Sequence, residues 1–490
     1  MSGLKVLSIA SEIFPLIKTG GLADVAGALP LALAREGFTT RTLAPGYPGL
    51  LAKLDSTERV HSYNSLMGGP ARVLAAKAGA LDLFVLDAPH LFARPGGPYA
   101  GPDGADWPDN AIRFGAFCRV GADIAKGAVA SFSPDILHAH DWQAGLAAAY
   151  LHYDGGPRPG TAITIHNLAF QGVFSSLLLE ELGLPPEAMA TEGVEYFGGI
   201  GFLKAGLYFS DRITTVSPTY AREIVTPEGG VALDGLLRSR GADLVGIRNG
   251  IDDDVWNPAT DELLAQAFDA THLAQRPANK AALQKRFDLD IDGDAPLFGL
   301  VTRMTAQKGI DLLLECLPLL LAEGGQVALL GSGERALQDG FAAAALAHPG
   351  RVGCAFTYDE SLAHLIQGGA DFIVIPSRFE PCGLTQLCAL RYGSTPIVAR
   401  VGGLADTIID ANDAALAAQV ATGVQFAPPD ADQLAAALRR AIAIYRDPPA
   451  MERMRLNGMR SDVSWRIPAR QFAGLYNGLV SERAAFAGLA

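Results

Sequence analysis

Short apolar runs alternate with helix-forming stretches along almost the whole chain, and this alternation restricts the fold more than any other feature. KVLSIA (5–10), TTRTLAP (39–45), LDLFVLDA (81–88), DILHAH (135–140), TAITIH (161–166), RITTVS (212–217) and DLVGIRNG (243–250) read as strands. Stretches such as LADVAGALPLALAREG (22–37) and NAIRFGAFCRVGADIAKGAV (110–129) read as helices between them. Apolar strands separated by helices are the pattern of a parallel sheet covered on both faces. Residues 251–295 are more polar and interrupt the series. It resumes with PLFGLVTR (296–303), QVALLG (326–331), RVGCAF (351–356), DFIVIP (371–376) and TPIVAR (395–400). The expected fold class is α/β, with two doubly wound Rossmann-like domains at residues 1–247 and 248–464. A chain of 490 residues exceeds one ordinary core, which agrees. Such sheets bind ligands outside the carboxyl ends of their strands, so two facing each other make a deep cleft.

The net charge of −13 excludes nucleic acid and anionic membrane surfaces as expected partners. An anionic substrate would need a local basic pocket. The five cysteines, Cys118, Cys316, Cys354, Cys382 and Cys388, are odd in number and include no C-x-x-C pair. That argues against a disulfide framework and for a reducing, cytoplasmic setting. Glu12 and Pro15 break the apolar start, so the N-terminus reads as a first strand rather than a signal peptide. LLLECLPLLLA (312–322) comes closest to a membrane span, but it is short and contains Glu315 and Pro318.

The pentapeptide GGLAD occurs twice, at 20–24 and 402–406, each time ahead of a helix-like segment. Glycines there let a ligand approach the backbone, and a helix N-terminus offers free N–H groups. A tight turn without a ligand explains a glycine pair equally simply. In KTGG, Lys18 adds a cation of the kind a phosphate needs, against the alternative of a solvated surface lysine. The spacing is neither a Walker A loop nor G-x-G-x-x-G.

HAHDW (138–142) puts His138 and His140 on one strand face, a possible metal pair, but no H-E-x-x-H or Cys/His cluster accompanies it. Asp141, Trp142 and Gln143 suit a sugar instead, the carboxylate and amide for hydroxyls and the indole for a ring face. His138 reads as a buried strand-end histidine. TIHNLAFQG (164–172) presents His166 and Asn167 at another strand end. In TRMTAQKG (302–309), Arg303 and Lys308 flank a strand-to-helix turn and can clamp a diphosphate. In RFEPCGLTQLCALRYG (378–393), Glu380 can accept sugar hydroxyls, and the N–H groups of Cys382 to Thr385 are expected to face the cleft. Cys382 reads as a packing residue, since no base lies near it in sequence. DLDIDGD (288–294) has D-x-D spacings but falls in the polar connecting segment and reads as an exposed loop.

KTGGLADV, HAHDW, TIHN, IRNGID, TRMTAQKG and SRFEPCGLTQL, in this order, closely resemble the bacterial glycogen synthases and plant starch synthases, from residue 5 to about 480. The resemblance implies a GT-B glycosyltransferase that moves glucose from ADP-glucose to the non-reducing end of an α-1,4-glucan, with retention and release of ADP. By this similarity Lys18 binds the donor, beside Gly20 and Gly21, and Asp24 organises that loop. Arg303 and Lys308 stabilise the departing diphosphate. His166 and Glu380 contact the transferred glucose, with Asn249 and Asp141 close by. The backbone around Cys382 and Gly383 holds sugar hydroxyls, and Leu384 and Thr385 lie near phosphate. Tyr358 stacks on adenine, Tyr99 occupies another cleft position, and Gly402 and Gly403 lie near phosphate or ribose. Residues 463–484 resemble the family's terminal helix, so residues 465–487 are expected to pack back on the first domain.

No metal or other cofactor is expected if Arg303 and Lys308 supply the charge. The implied partners are ADP-glucose and a glucan such as glycogen or a maltooligosaccharide. Front-face transfer is the favoured mechanism, and domain closure is expected to bring the Lys18 loop towards Arg303 and Lys308. No regulatory extension or transit peptide is recognisable, which leads to the expectation of an unregulated bacterial form. One departure concerns related transferases that carry a Glu eight residues before Glu380, where this chain has Phe372 and, one earlier, Asp371, read as structural.

Four other readings compete. A tandem-Rossmann dehydrogenase needs a G-x-G-x-x-G fingerprint that is not evident. A metal hydrolase rests on HAHD alone. A non-catalytic glucan binder would keep the cleft and lose the cations. A phosphorylase shares the fold class, but no pyridoxal-phosphate lysine is recognisable.

Overall fold

The computed structural model describes residues 3–487. The chain forms two compact units, one running to Asn249 and resuming at Trp465, the other Gly250–Ser464. The first contains β1 (Lys5–Ile9), β2 (Thr39–Pro45), β3 (Ser56–Leu66), β4 (Gly69–Ala78), β5 (Leu81–Asp87), β6 (Ile136–His140), β7 (Gly160–Ile165), β8 (Val173–Ser175), β9 (Glu195–Tyr196), β10 (Gly199–Gly201), β11 (Arg212–Thr215) and β12 (Leu244–Gly246). Its main sheet has the order β12-β11-β7-β6-β1-β2-β5-β4-β3, parallel from β12 to β5 and antiparallel at β4 and β3. A small antiparallel sheet, β8-β10-β9, stands apart.

The β3–β4 hairpin lies outside the strand series read from the sequence. Its turn uses Met67 (φ 44°) and Gly68 (φ 96°), the left-handed pair of a two-residue hairpin. STERVHSYNSL is mostly exposed, so it lacks the apolar run that marks the buried strands.

Helix Gly21–Arg35 buries Leu22, Val25, Ala26, Leu29 and Leu33, one stripe at helical spacing. Val25, Leu29 and Leu33 pack with Val6, Ile136 and Ala162 of the sheet and with Ala469, Phe472, Tyr476 and Leu479 of the last helix, Arg466–Ala487. Each such buried aromatic or leucine side chain contributes roughly 2 kcal/mol, so the last helix belongs to the first unit's core. Arg212 fixes it further, its Nη2 donating to both carboxylate oxygens of Glu482 (2.5 and 2.7 Å).

The second unit contains β13 (Leu297–Val301), β14 (Gln326–Leu330), β15 (Val352–Ala355), β16 (Phe372–Ile375), β17 (Thr395–Ala399) and β18 (Val424–Phe426), all parallel in the order β15-β14-β13-β16-β17-β18. Numbered within the unit, this is 3-2-1-4-5-6, the dinucleotide-fold order. Side chains alternate between two cores. Phe298, Leu300, Phe372 and Val374 face one, with helices Ile310–Ala322 and Ala431–Tyr445. Leu297, Ile373 and Ile375 face the other, with helices Pro277–Arg286, Glu360–Gly369 and Thr385–Arg391. Among the described residues no helix is long and apolar enough to cross a membrane.

Asp371 closes the amino end of β16. It accepts the Leu297 N–H (3.0 Å) and meets Lys280 (2.8 Å), Arg455 (2.5 Å) and Arg276 (3.9 Å). Burial would raise its pKa, but the three cations outweigh burial and hold it below the usual carboxylate range. Asp371→Asn leaves those cations without a counter-charge. A loss of about 3–5 kcal/mol is expected in urea denaturation of the second unit.

Candidate active site

The loops that carry the candidate residues leave the sheets at their topological switch points. In the first unit the strand order runs away from β1 on both sides, through β2 and through β6, the switch point at whose carboxyl ends such sheets take ligands. The β1 loop carries Lys18, the β6 loop Asp141, and the adjacent β7 loop His166 and Asn167.

Lys18 Nζ bonds Asp24 Oδ1 at 2.9 Å and lies 5.2 Å from the Phe14 ring centroid. The backbone beside it is held by Glu12, a buried residue that the sequence reading treated only as a break in an apolar run. Glu12 accepts the Thr19 N–H, the Thr19 hydroxyl (2.6 Å), the Gly20 N–H (3.2 Å) and the Tyr99 hydroxyl (2.5 Å). Tyr99 Oη also lies 2.7 Å from Ser11 Oγ. Burial, then the Glu12 charge, push the Tyr99 phenol well above its ordinary pKa. The available signal was a carboxylate at the exit of an apolar strand, which must find donors if buried.

Asp141 has a left-handed backbone (φ 56°) and accepts the His166 N–H at 2.7 Å and the Asn167 N–H. Burial pushes its carboxyl up to about 7, against the pull of those amides. It therefore shapes the His166 turn. His140 Nδ1 lies 2.9 Å from His166 Nε2. His138 bonds Thr164 Oγ1 (2.6 Å) and the Tyr476 hydroxyl (2.7 Å). Burial lowers all three histidines, His140 to about 3, so they are neutral at working pH. Asn167 Oδ1 accepts the Ala169 N–H at 3.0 Å.

Trp142 corrects an expectation. It is only 9% exposed, with ring centroids 5.0 Å from Phe114, 5.6 Å from Phe174 and 6.4 Å from Tyr99. Its faces are taken by aromatic packing, so it offers none to a sugar. Among the described residues no group of three or more His, Cys, Asp and Glu is disposed to hold a metal ion.

In the second unit the switch point lies between β13 and β16. The β13 loop carries Arg303 and Lys308, and the β16 loop carries Glu380. Lys308 Nζ pairs with Glu380 Oε2 at 2.5 Å, and Ser377 Oγ donates to the same oxygen at 3.0 Å. The two loops are joined by Arg378 N–H to Gln307 O (2.9 Å), by Gln307 Nε2 to Phe379 O (3.2 Å) and by Arg378 to Ala306 O (2.6 Å). Gly309 (φ 63°) permits the contact, because a Cβ there would lie 2.0 Å from Pro376 O. Arg303 is exposed; its carbonyl accepts the Thr305 N–H (3.1 Å) and the Thr302 hydroxyl (3.2 Å), while its guanidinium makes no hydrogen bond or ion pair among the described residues.

Cys382 is buried, and its carbonyl accepts Gln386 Nε2 at 2.9 Å. Gly383 has φ 69°, and Leu384 leads into helix Thr385–Arg391. Tyr358, on the loop after β15, is 71% exposed with its hydroxyl 2.5 Å from Glu360. Asn249 is buried as the last residue before the second unit.

The two GGLAD copies have different surroundings. A Cβ on Gly402 (φ 41°) would lie 2.0 Å from Glu380 O, and one on Gly403 would lie 2.1 Å from Cys382 O. The Gly403 N–H donates to Glu380 O at 3.1 Å. This pair packs against the Glu380–Cys382 backbone. Gly20 is extended, and nothing lies within 4 Å of the position a Cβ would take. Gly21, the first residue of its helix, is exposed.

Residues 5–239 match the family model of the starch synthase catalytic domain, and residues 282–460 that of the glycosyl transferases group 1. The chain is 61% identical over 483 residues to a glycogen synthase of Rhodopseudomonas palustris, covering 99% of each, and 62% identical to one of Methylocella silvestris, covering 99% of this chain and 100% of that one. Among solved structures it resembles the catalytic domain of starch synthase IV from Arabidopsis thaliana bound to ADP and acarbose, with TM-score 0.88, 33% identity and coverage of 98% and 100%. A sucrose-phosphate synthase from Thermosynechococcus elongatus shares the fold, with TM-score 0.61, 18% identity and coverage of 98% and 100%.

The glycine pairs and Asp141 each carry an expected outcome. Gly403→Ala should cost about 1–3 kcal/mol by overpacking, whereas Gly20→Ala should stay within about 0.5 kcal/mol, both read by urea denaturation. Folded Asp141 keeps a proton up to about pH 7 that the unfolded chain loses near 4. Its contribution to stability is therefore present below that lower value and declines as pH rises to 7. Asp141→Asn should gain stability relative to the parent between about pH 5 and pH 8, checked by denaturation at both.

Proposed function

The chain belongs to the glycogen synthase family of glycosyltransferases, and from that premise we infer that it transfers glucose from ADP-glucose to the non-reducing end of an α-1,4-glucan. The anomeric configuration is retained and ADP is released. The observation that carries the reading is the grouping of Arg303, Lys308 and Glu380 at the switch point of the 3-2-1-4-5-6 sheet, where such a fold takes its nucleotide. The ADP in the starch synthase IV structure supports it.

In this mechanism the bond between the glucose C1 and the diphosphate oxygen breaks, and the electron pair leaves with ADP. Arg303 and Lys308 stabilise that charge, the largest demand of the reaction. The Lys308 ammonium sits on Glu380. The diphosphate competes for it and frees a Glu380 oxygen for hydroxyls of the transferred glucose. The acceptor O4 attacks C1 from the same face, and its proton passes to the departing phosphate oxygen, so no protein nucleophile or metal enters. Neutral His166 bonds a sugar hydroxyl, in a turn held by Asp141. Lys18 supplies a further cation to the donor, and Asn249 lies near the transferred glucose. Tyr358 offers its exposed face to adenine. The Cys382–Gly383 backbone serves sugar hydroxyls, and Leu384 and Thr385 lie near phosphate.

The experiment is incorporation of glucose into glycogen with EDTA present, comparing ADP-glucose with UDP-glucose. Transfer from ADP-glucose is expected, and Lys308→Ala should lower kcat by about 10²–10³-fold. No transfer from ADP-glucose would overturn the reading. A covalent glucosyl adduct trapped on Glu380 would overturn the front-face step alone.

A further inference from the structure

We propose that Glu12 is a positioning residue for the sugar-nucleotide donor, acting through the Lys18 loop: its buried carboxylate occupies the anion hole at the first unit's switch point. The inference rests on the reading of Lys18 as a donor contact.

The place is informative first. Glu12 lies on the loop after β1, beside β6, where a doubly wound sheet would normally present backbone N–H groups to a phosphate. Here two such groups, from Thr19 and Gly20, point at Glu12 instead. The loop has the form of a phosphate cradle, and an internal anion already fills it.

The donor set then explains the residue type. Four donors converge on one side chain: two backbone N–H groups, the Thr19 hydroxyl and the Tyr99 hydroxyl. An ionised carboxylate accepts at both oxygens and donates nothing, so it can satisfy all four. A glutamine has one accepting oxygen and turns an NH₂ towards the rest. No Lys or Arg bonds Glu12 among the described residues, so its charge is balanced by dipoles.

The hole is also braced from a distance. Tyr99 reaches it from a separate loop, its carbonyl accepts Asn110 Nδ2 (2.9 Å), and Asn110 Oδ1 accepts Arg113 Nη1 (2.6 Å) in helix Asn110–Ala125. Lys18 directly precedes Thr19, and its ammonium is steered by Asp24 and Phe14. Fixing the Thr19–Gly20 backbone fixes the stem from which Lys18 extends. A carboxylate in the hole also repels phosphate from the amides, which leaves the Lys18 ammonium as this loop's group for the donor.

The test is a double-mutant cycle of Glu12→Gln and Lys18→Ala in the full chain, with ADP-glucose kinetics as the readout. Alone, Glu12→Gln is expected to lower kcat/KM by about tenfold or more, the worth of charge-assisted hydrogen bonds. On the Lys18→Ala background it should add at most about twofold, because the two act as one unit. Glu12→Ala leaves a hole lined by the same donors, and millimolar formate should restore part of its activity while leaving Lys18→Ala unchanged. Wild-type kcat/KM in Glu12→Gln, or full additivity with Lys18→Ala, overturns the inference and leaves the proposed function standing. Folding of each variant is followed by circular dichroism, and Glu12→Gln decides the matter if Glu12→Ala does not fold. A wild-type enzyme that fails to use ADP-glucose overturns the proposed function itself, and the donor role of Glu12 with it.

Discussion

Parallel pairing is the constraint on which the rest depends. When strands run the same way, every strand-to-helix loop emerges at one edge of the sheet, and where the strand order reverses, neighbouring loops part. In the second unit this puts the β13 and β16 loops side by side with Lys308 against Glu380. In the first it puts the β1, β6 and β7 loops together, so that Glu12, Asp141 and His166 share one edge although they are distant in sequence.

The two ends of β16 show how the same chemistry serves different ends. Asp371 at the amino end faces the buried Lys280 and Arg276, the half-buried Arg455 and a backbone N–H, an arrangement that holds only while every partner stays. Glu380 at the carboxyl end has one cation and one hydroxyl. Its cation can be drawn away by a stronger anion without opening the core. The first unit's charges follow the same division. His138, His140 and His166 are neutral and bonded to neighbours, and Asp141 is turned to backbone amides. Their lowered pKa values make the three histidines weak bases.

The parallel strands were legible because burial on both faces forces continuous apolar runs, and TTRTLAP and QVALL are strands in the structure. The exposed β3–β4 hairpin was not legible, because nothing about its side chains requires a core. The same limit applies to the site. Lys308 and Glu380 could be placed at strand ends from sequence, but their pairing depends on strand order, which periodicity does not contain. Trp142 was misread because a sugar platform and a packed aromatic have the same local sequence. The rings that enclose it, Phe114, Phe174 and Phe202, come from other segments. Glu12 was passed over for the converse reason: its meaning lies in its donors, and Tyr99 stands 87 positions away.

The two GGLAD segments bring these points together. Both start a helix at the carboxyl edge of a parallel sheet, and local sequence cannot tell them apart. Their difference lies in what faces the glycines. The backbone of Glu380 to Cys382 lies directly on Gly402 and Gly403, so the absent side chains let one active loop rest on another. At the first copy a buried carboxylate stands back from the chain and takes its N–H groups, and the space over Gly20 is left open. The same five residues thus close a gap in one unit and border one in the other. In both cases the partner is a glutamate that the motif does not contain, through its backbone in the second unit and its side chain in the first.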